Sequence, residues 1–329
     1  FYMTFSMKDE LLARLLKANG EPISGQQLAD DFGVSRTAVW KHLQALQEEG
    51  YTLETVKKKG YVLTGMPDRI DGARIQTFLQ TKRLGQSIHH FEQVESTQVL
   101  AHEYVRGDVE DGTVVIAESQ TAGRGRMLRP WESTAGKGVW MTVILKPDVP
   151  PHLAPQFTLV VAVAVVHAMK ALYPNLHPEI KWPNDILING RKCTGILTEM
   201  VAEADRVQAL LIGIGINVNQ QREDFPEELH TIATSMAEQL GHTIDRAEFV
   251  AKVLLYLEHY ADLYVKNGFS PIKALWEQAS GTIGKQVRAT TLREVIEGKA
   301  IGITESGVLE IQTATGEIKG VYSADIEIQ

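Results

Sequence analysis

The chain has 329 residues, is 44% hydrophobic and 22% charged, and carries a formal net charge of −8. This length predicts two or three domains, and the composition is that of a globular protein with enough apolar residues for real cores. The acidic balance excludes a protein that is basic throughout, although it leaves room for a basic patch on one domain. The single cysteine, Cys193, excludes an intrachain disulfide framework and suits a reducing cytosol, so we expect a cytoplasmic protein.

The two segments that could mislead a fold prediction are the start of the chain and its longest apolar run. The first seven residues, FYMTFSM, look like residues around a start site, and we expect them to lie outside the fold. The apolar run 157–169 is shorter than the roughly 20 residues that cross a bilayer, and it contains His167. We therefore predict a buried helix here and no membrane partner.

Residues 24–50 have the pattern of two helices joined by a tight glycine turn. Ser24, with Gln27 three residues later, predicts a capped helix start, and Gly33 ends that helix. Ser35 caps a second helix. Its apolar residues recur at helical spacing, at Val39, Leu43 and Leu46. The pattern predicts a helix-turn-helix, and the two short strand runs that follow predict a wing around a lysine turn.

We expect this unit to bind DNA, because the second helix turns polar residues outward, where they can reach phosphates and base edges of a major groove. The candidate DNA-binding residues are Ser24, Ser35, Arg36, Thr37, Trp40, Lys41, Gln44, Lys57, Lys58 and Lys59. A protein-interaction module is the alternative for such a helix pair. Residues 1–66 contain eight Lys or Arg and eight Asp or Glu, so one copy should bind DNA weakly and a dimer is the natural remedy.

The rest of the chain predicts two more domains. Residues 67–280 mix helix and strand runs, and Asn189-Gly190 between two strand runs is a strong hairpin signal. A partly antiparallel sheet follows, which argues against a doubly wound nucleotide fold. Residues 281–329 hold four strand runs and predict a small SH3-like β-barrel. The expected fold class is therefore α+β with three domains: a winged helix-turn-helix (1–66), a mixed-sheet α/β domain (67–280) and the barrel (281–329).

Residues 120–131, QTAGRGRMLRPW, which we call the arginine loop, collect three arginines within an acidic chain. Arg124, Arg126 and Arg129 alternate with glycines that let the backbone approach a ligand, and guanidinium groups match phosphate or carboxylate geometry. Trp131 offers a flat face to a base or an apolar ligand. The loop lacks the P-loop spacing, and a solvated flexible loop is the alternative, but the residues favour an anion site.

Three further motifs strengthen that interpretation. In KWPND (181–185), strand alternation buries Ile180 and Trp182, so Lys181 becomes a fixed ammonium on the other face, beside an Asn and an Asp. The glycines of GIGIN (213–217) follow a strand and would let a ligand pass close to it, although a Rossmann fingerprint is absent. EST (95–97) lies where a strand gives way to a helix, and N-capping is its simplest role.

Together these residues resemble the biotin protein ligases. The matching elements, in the order of the family, are EST (95–97), QTAGRGR (120–126), KWPND (181–185), GILTEM (195–200) and GIGIN (213–217). The winged helix-turn-helix further resembles the bifunctional members, which also repress the biotin operon. The resemblance covers the chain from about Lys8 onward.

The resemblance implies a ligase that joins biotin and ATP to biotinyl-5′-AMP and passes biotin to a lysine of the biotin carboxyl carrier protein of acetyl-CoA carboxylase. The catalytic residues that it implies are Lys181, Arg126 and Asp185. The biotin-binding residues would be Ser96, Thr97, Gln98, Gln120, Arg124, Gly125, Arg126, Lys181 and Gly195. The adenylate-binding residues would be Arg124, Arg126, Trp131, Lys181, Asn184 and Asn217. Lys181 would bridge the biotin carboxylate and the α-phosphate, and Mg²⁺ would be held chiefly by the phosphates rather than by protein ligands.

The resemblance also implies regulation by the product of the first step. The adenylate would act as corepressor, and the adenylate-bound homodimer would place two winged helices on operator DNA. Two alternatives stay open: a repressor that senses biotin without ligase activity, for which Lys181 would serve only affinity, and a lipoate-type ligase.

Overall fold

The computed structural model describes residues 6–329, so residues 1–5 lie outside the described part of the chain. The expectation that the first seven residues stand apart from the fold is wrong for two of them. Met7 begins the first helix, and Ser6 caps it by accepting a hydrogen bond from the backbone N–H of Asp9 at 3.2 Å. A serine directly before an acidic first turn is a helix-start signal, which the sequence argument passed over.

The N-terminal unit has three helices and a two-stranded wing, as predicted. Its elements are α1 (Met7–Lys17), α2 (Gly25–Phe32), α3 (Arg36–Glu48), β1 (Thr52–Val56) and β2 (Gly60–Gly65). Ser24 and Ser35 cap α2 and α3 through hydrogen bonds of 2.9 and 3.1 Å, and Gly33 ends α2 with a φ of 64°. The predicted apolar stripe of α3 is buried, so its polar side faces outward.

Within residues 6–329 the central sheet has seven strands, of which only one neighbouring pair is parallel. The strands are β3 (Ile88–Val94), β4 (Val114–Gln120), β5 (Val139–Leu145), β6 (Pro178–Lys181), β7 (Asp185–Ile188), β8 (Arg191–Glu203) and β9 (Arg206–Ile216). Their order is β3-β4-β5-β9-β8-β7-β6, with β3 and β4 parallel. Asn189 and Gly190 make the β7–β8 turn with φ values of 51° and 75°. The mixed sheet and the hairpin are confirmed.

Six helices surround or connect to this sheet: α4 (Gly72–Phe78), α5 (Thr97–Val105), α6 (Gln156–Leu172), α7 (Met236–Leu240), α8 (Arg246–Asn267) and α9 (Ser270–Ala279). The apolar run of the sequence is α6, which lies buried in the main core together with α8 and α9. A second, smaller core lies between α5 and the strands β4, β5 and β9. Sheet residues alternate between these cores, as strand geometry requires. No helix within residues 6–329 is long and apolar enough to cross a membrane.

The C-terminal unit is a five-stranded antiparallel sheet: β10 (Gln286–Thr290), β11 (Val295–Ile303), β12 (Leu309–Gln312), β13 (Ile318–Val321) and β14 (Asp325–Ile328). Its order is β13-β12-β11-β10-β14. The sequence predicted four strand runs, and the last of them is broken into β13 and β14 by residues 322–324. That break contacts the arginine loop, because Arg126 donates hydrogen bonds to Ser323 and to the Ala324 carbonyl.

The segment that leads from the wing to α4 is anchored to the central sheet by a buried arginine. Arg246 is fully buried, and its guanidinium lies 2.8 Å from Asp68 and 3.0 Å from Glu118 of β4. Burial alone would raise the pKa of Glu118, but the hydrogen bond with His90 and the charge of Arg246 outweigh it and lower the pKa to about 2. Ion pairs to the buried Arg246 therefore connect the segment after the wing to the central sheet.

Candidate active site

A cavity of about 280 Å³ lies between the arginine loop and the strands β8 and β9. It collects residues from every motif of the sequence argument. The predicted site residues that line it are Ser96, Thr97, Gln98, Gln120, Arg124, Gly125, Arg126, Trp131, Asn184, Asp185, Gly195 and Asn217. Segments more than 100 residues apart in the chain thus form one continuous surface, as expected of a ligand site.

The floor of the cavity, which we define as Thr97, Gln98 and Gln120, forms a hydrogen-bonded network with Thr142, which is fully buried behind it. The Gln98 amide is held at 3.0 Å from the Leu211 carbonyl and 2.9 Å from the Thr142 hydroxyl. Gln120 accepts a hydrogen bond from the backbone N–H of Thr97 at 2.9 Å. Because these groups bind one another, their orientation is fixed before any ligand arrives.

Ser96 has the N-capping role that was predicted as the simplest one for the EST motif. It is the N-cap of α5, and its hydroxyl accepts a hydrogen bond from the backbone N–H of Val99 at 3.4 Å. It also lines the cavity, so capping and ligand contact are compatible in one side chain.

The two lysines near Asp185 have different positions. Lys181 and Asp185 face each other across the β6–β7 hairpin, with 3.6 Å between the ammonium and the carboxylate. Lys192 of β8 reaches the same carboxylate at 3.0 Å from the opposite side, and it lines the cavity, whereas Lys181 is not among the lining residues. The role expected of Lys181 therefore stays a prediction: its ammonium and that of Lys192 lie on opposite sides of one carboxylate that lines the cavity.

Lys192 was not predicted as a site residue, although the register of the Asn189-Gly190 hairpin indicates its position. The Asn189-Gly190 hairpin pairs Lys192 with Leu187, which is two residues from Asp185 on the neighbouring strand. Diagonal neighbours across antiparallel strands are within reach of a long side chain. Extending the hairpin register by two residues would have placed Lys192 beside Asp185.

The glycines of GILTEM and GIGIN lie inside β8 and β9, and the expectation that GIGIN follows a strand is wrong. A Cβ at Gly195 would lie 2.7 Å from the Trp131 ring, and one at Gly215 would lie 2.7 Å from its indole nitrogen. A Cβ at Gly213 would similarly lie 2.8 Å from the Gln98 oxygen. These glycines make room for two side chains of the protein, rather than for a ligand alone.

Trp131 closes one side of the cavity as a packed aromatic. Its ring meets that of Trp140 edge-on at a centroid distance of 6.5 Å, and the Lys192 ammonium lies 5.0 Å from its centroid. The indole, the ammonium and the Asp185 carboxylate therefore form one contiguous wall.

The arginine loop is fastened to the break between β13 and β14. Arg126 donates to Asn184 at 3.3 Å and to Ser323 at 3.0 Å, and Arg129 forms a two-bond ion pair with Asp325 at 3.0 and 2.5 Å. The hydrogen bond from Arg129 is the main cause of a lowered pKa of Asp325. Between these arginines the loop exposes Met127 and Leu128, 65% and 75% accessible, both with positive φ. The loop is thus attached at its edges and strained at its tip.

Asn217 and Cys193 lie beneath the cavity wall. The Asn217 side-chain oxygen accepts a hydrogen bond from Gln220 at 3.2 Å, and its backbone N–H donates to the Cys193 carbonyl at 2.9 Å. Cys193 is fully buried, and burial raises the pKa of its thiol to about 12. The cysteine is therefore an unreactive residue of β8.

The predicted DNA-binding residues share one exposed unit outside the catalytic sheet. Arg36, Thr37, Trp40 and Lys41 are exposed on α3, Trp40 with 51% of its surface accessible, and Gln44 is half-buried. Lys57, Lys58 and Lys59 are exposed in the wing turn, and Ser24 and Ser35 cap their helices. An exposed tryptophan beside two cations on one helix is unusual for a free surface and is suited to a partner.

Comparisons with known proteins agree with this arrangement. The chain matches the Biotin/lipoate A/B protein ligase family over residues 90–217, the HTH domain over 8–62, and the Biotin protein ligase C terminal domain over 282–328. The bifunctional ligase/repressor BirA of Bacillus subtilis is 48% identical over 99% of this chain and 100% of its own length. The chain belongs to the bifunctional biotin ligase/repressor family.

More distant members agree with this assignment. BirA of Escherichia coli is 29% identical over 95% of this chain and 95% of its own length. Among solved structures, the biotin protein ligase from Aquifex aeolicus in complex with biotin and ATP superposes with a TM-score of 0.64 at 30% identity. The superposition covers 74% of this chain and 99% of the Aquifex aeolicus chain. The protein is thus a biotin protein ligase with an N-terminal winged helix-turn-helix that makes it also a repressor.

Proposed function

We propose that the cavity holds biotin and ATP together, forms biotinyl-5′-AMP, and delivers biotin to a lysine of a biotin carboxyl carrier protein. One observation carries this proposal: the cavity has a fixed polar floor, apolar walls and a cationic end. Biotin has a polar ureido ring, an apolar chain and a carboxylate in the same order. The match supports the floor as the ureido site and Lys192 as the group that meets the carboxylate.

In the first step the biotin carboxylate attacks the α-phosphorus of ATP, and pyrophosphate leaves. Lys192 would lie near the carboxylate and the α-phosphate with Lys181 on the other side of Asp185, and their ammonium groups would stabilise the negative charge that grows on the phosphoryl oxygens. Trp131 and the backbone of the arginine loop would enclose the adenylate. Asn184, which accepts from Arg126 and donates to the Ile196 carbonyl at 2.9 Å, would hold the loop in place rather than contact the reacting atoms.

Mg²⁺ would enter with the nucleotide and be held chiefly by its phosphates. No group of three or more His, Cys, Asp or Glu residues that could hold a metal occurs within residues 6–329. A hard dication that usually keeps several waters needs few protein ligands when phosphates are present. The ion would neutralise the leaving pyrophosphate.

In the second step the amine of the carrier lysine attacks the carbonyl of the mixed anhydride, an amide forms, and AMP leaves. Asp185 is positioned to accept a hydrogen bond from the incoming amine, since it lies at the cavity wall between two lysines. The arginine loop would exclude water until the carrier arrives, which matters because water would hydrolyse the anhydride.

The same adenylate would act as corepressor. Ordering of the arginine loop around it would favour a homodimer, to which an edge of the central sheet contributes, and the dimer would place two winged helices on a palindromic operator. This coupling requires that the adenylate bind the dimer more tightly than the monomer.

Exchange of pyrophosphate into ATP tests the ligase chemistry directly. With Mg²⁺ present, exchange should depend on biotin and should not be supported by lipoate. Exchange that ignores biotin, or none at all, would favour a biotin-sensing repressor without ligase activity, and exchange that prefers lipoate would favour a lipoate-type ligase.

A further inference from the structure

The hydroxyl of Thr142 lies behind the pocket floor, where no ligand can touch it. Thr142 is fully buried on β5 and is not among the residues that line the cavity, although its neighbours Trp140 and Met141 are. Its oxygen lies 2.9 Å from the Gln98 side-chain oxygen and 3.0 Å from the Thr97 hydroxyl. The donors and acceptors in this chain of three side chains can be assigned from chemistry alone.

The orientation of the Gln98 amide starts the assignment. Its nitrogen lies 3.0 Å from the Leu211 carbonyl and 3.4 Å from the Leu197 carbonyl. Carbonyl oxygens only accept hydrogen bonds, so the amide nitrogen must face them and the amide oxygen must face away. Flipping the amide would set three oxygens against one another in a buried site.

The direction of the next two hydrogen bonds follows. The Gln98 oxygen can only accept, so the single hydroxyl proton of Thr142 must point to it. Thr142 then has no proton left for Thr97, and the proton of the bond between the two hydroxyls must come from Thr97. Since the Thr97 proton points into the protein, its oxygen presents only lone pairs to the cavity.

We propose that Thr142 is a positioning residue that sets the ligand specificity of the pocket floor, because it fixes the Thr97 hydroxyl as a hydrogen-bond acceptor that requires an N–H on the ligand. A cyclic urea meets that requirement, whereas a ring with oxygen or sulfur at the same place does not. A mismatched ligand would set two acceptors face to face in a buried site, which is strongly rejected. The inference rests on the proposed function, since it takes the floor to be the ureido site.

The test uses biotin and its two cyclic carbamate analogues, in which a ring oxygen replaces one or the other ureido N–H. Biotin-dependent pyrophosphate exchange is measured with each ligand for the wild-type protein, Thr142→Val and Thr142→Ser. The wild-type protein should prefer biotin in kcat/KM by about 10- to 100-fold over the analogue whose oxygen meets Thr97. Thr142→Ser keeps the hydroxyl and should keep this preference.

Thr142→Val removes the acceptor for the Thr97 proton and frees that hydroxyl to turn toward the ligand. The preference should fall to within about threefold, mainly through KM for biotin, while KM for ATP is unchanged. If Thr142→Val proves unstable in thermal unfolding, Gln98→Leu tests the same chain of hydrogen bonds, from Thr97 through Thr142 to Gln98, at its other end. It frees the Thr142 proton to point at Thr97, so Thr97 can donate to the analogue.

The proposal would be overturned if Thr142→Val and Gln98→Leu preferred biotin over the analogue in kcat/KM as strongly as the wild-type protein does. So would an equal loss in Thr142→Ser and Thr142→Val, since that would mean packing and not proton direction is at work. A wild-type protein without biotin-dependent exchange would instead refute the proposed function, so the two failures are distinguishable.

Discussion

The pocket floor and the arginine loop face each other across one cavity, yet the two are held in opposite ways. The floor is made of buried, uncharged side chains whose hydrogen bonds are almost all made within the protein. The loop is fastened at its edges by exposed charged groups, and it presents two exposed apolar residues at its tip. Buried networks are costly to disturb, whereas exposed ion pairs contribute little and break readily.

This difference assigns the two regions different tasks. A floor that does not rearrange can select the ligand, because a wrong group cannot be accommodated by rotation of a side chain. A loop on weak attachments can open for substrates and for the carrier and still close over the intermediate. Specificity should therefore depend on the floor, and retention of the adenylate on the loop.

The largest expected effect separates two lysines on the wall between these regions. Lys192→Ala should lower the rate of adenylate formation by about 10² to 10³, the usual scale for losing one preorganised group at a developing charge. Lys181→Ala is the matched comparison, because Lys181 pairs with the same carboxylate from the other side. Single-turnover adenylation at saturating biotin and ATP measures both.

A fall in Lys181→Ala as large as that in Lys192→Ala would show that Lys181 also reaches the reacting phosphate. A change below about threefold in Lys192→Ala would remove it from that phosphate. The first outcome would give both lysines a role at that phosphate, and the second would leave that role to Lys181.

The second prediction tests whether operator binding by the winged helix-turn-helix depends on adenylate that the arginine loop retains. Operator binding should be weak with biotin alone, strong with biotin and ATP together, and should rise with the square of protein concentration. Arg36→Ala or Lys41→Ala should weaken it by about 10- to 100-fold and leave ligase turnover near wild type, since both side chains are exposed on α3. Gel-shift titrations and turnover assays on the same preparations test this.

Lys17→Ala provides a matched control, because it removes a basic residue of the same unit from α1. Tight operator binding without adenylate would break the link between loop and operator. Loss of ligation in the α3 variants as strong as their loss of DNA binding would break the division of labour between the units.

The sequence predicted the parts of this molecule that depend on local rules. The helix-turn-helix followed from Ser24, Gly33 and Ser35, each of which fixes a helix end by its own backbone or side-chain geometry. The mixed sheet followed from the Asn189-Gly190 turn. Most of the residues that line the cavity came from short motifs.

The errors concern how distant segments meet. Lys192 was not predicted, because its contact with Asp185 depends on the register between the hairpin strands, which no single motif reveals. The glycines of β8 and β9 were interpreted as room for a ligand, since a sequence cannot show that Trp131 packs over them. The break that separates β13 from β14 was missed for the same reason, because its role is to meet the arginine loop.

A third, smaller effect is expected in the loop itself. Arg126→Gly removes the hydrogen bonds to Asn184 and Ser323, so the loop should open more often. Adenylation should stay partly intact, while release of free adenylate and off-target biotinylation of nearby lysines should rise by about tenfold, the scale of about 1.4 kcal/mol. Arg293→Gly, in an exposed turn of the C-terminal unit, is the control. Retention equal to wild type would mean that Arg126 does not hold the loop.

The smallest expected effect concerns the ion pair between Arg129 and Asp325, and it is the sharpest test of a loop held by weak attachments. Asp325→Asn keeps the shape of the side chain and removes its charge, and Glu327→Gln makes the same change at an exposed position of the same strand. Since both members of the pair are exposed to solvent, adenylate release should rise only about two- to threefold.

The pKa of Asp325 is lowered by the hydrogen bond from Arg129, so the pair is intact above that pKa and is lost only as the pH falls through it. The ratio of release between Asp325→Asn and wild type should therefore stay constant between about pH 6 and 9, far above the ordinary range of a carboxyl group. A ratio that changes within this range would place the pH-sensitive attachment elsewhere, and release as large as that of Arg126→Gly would show that the ion pair alone holds the loop shut.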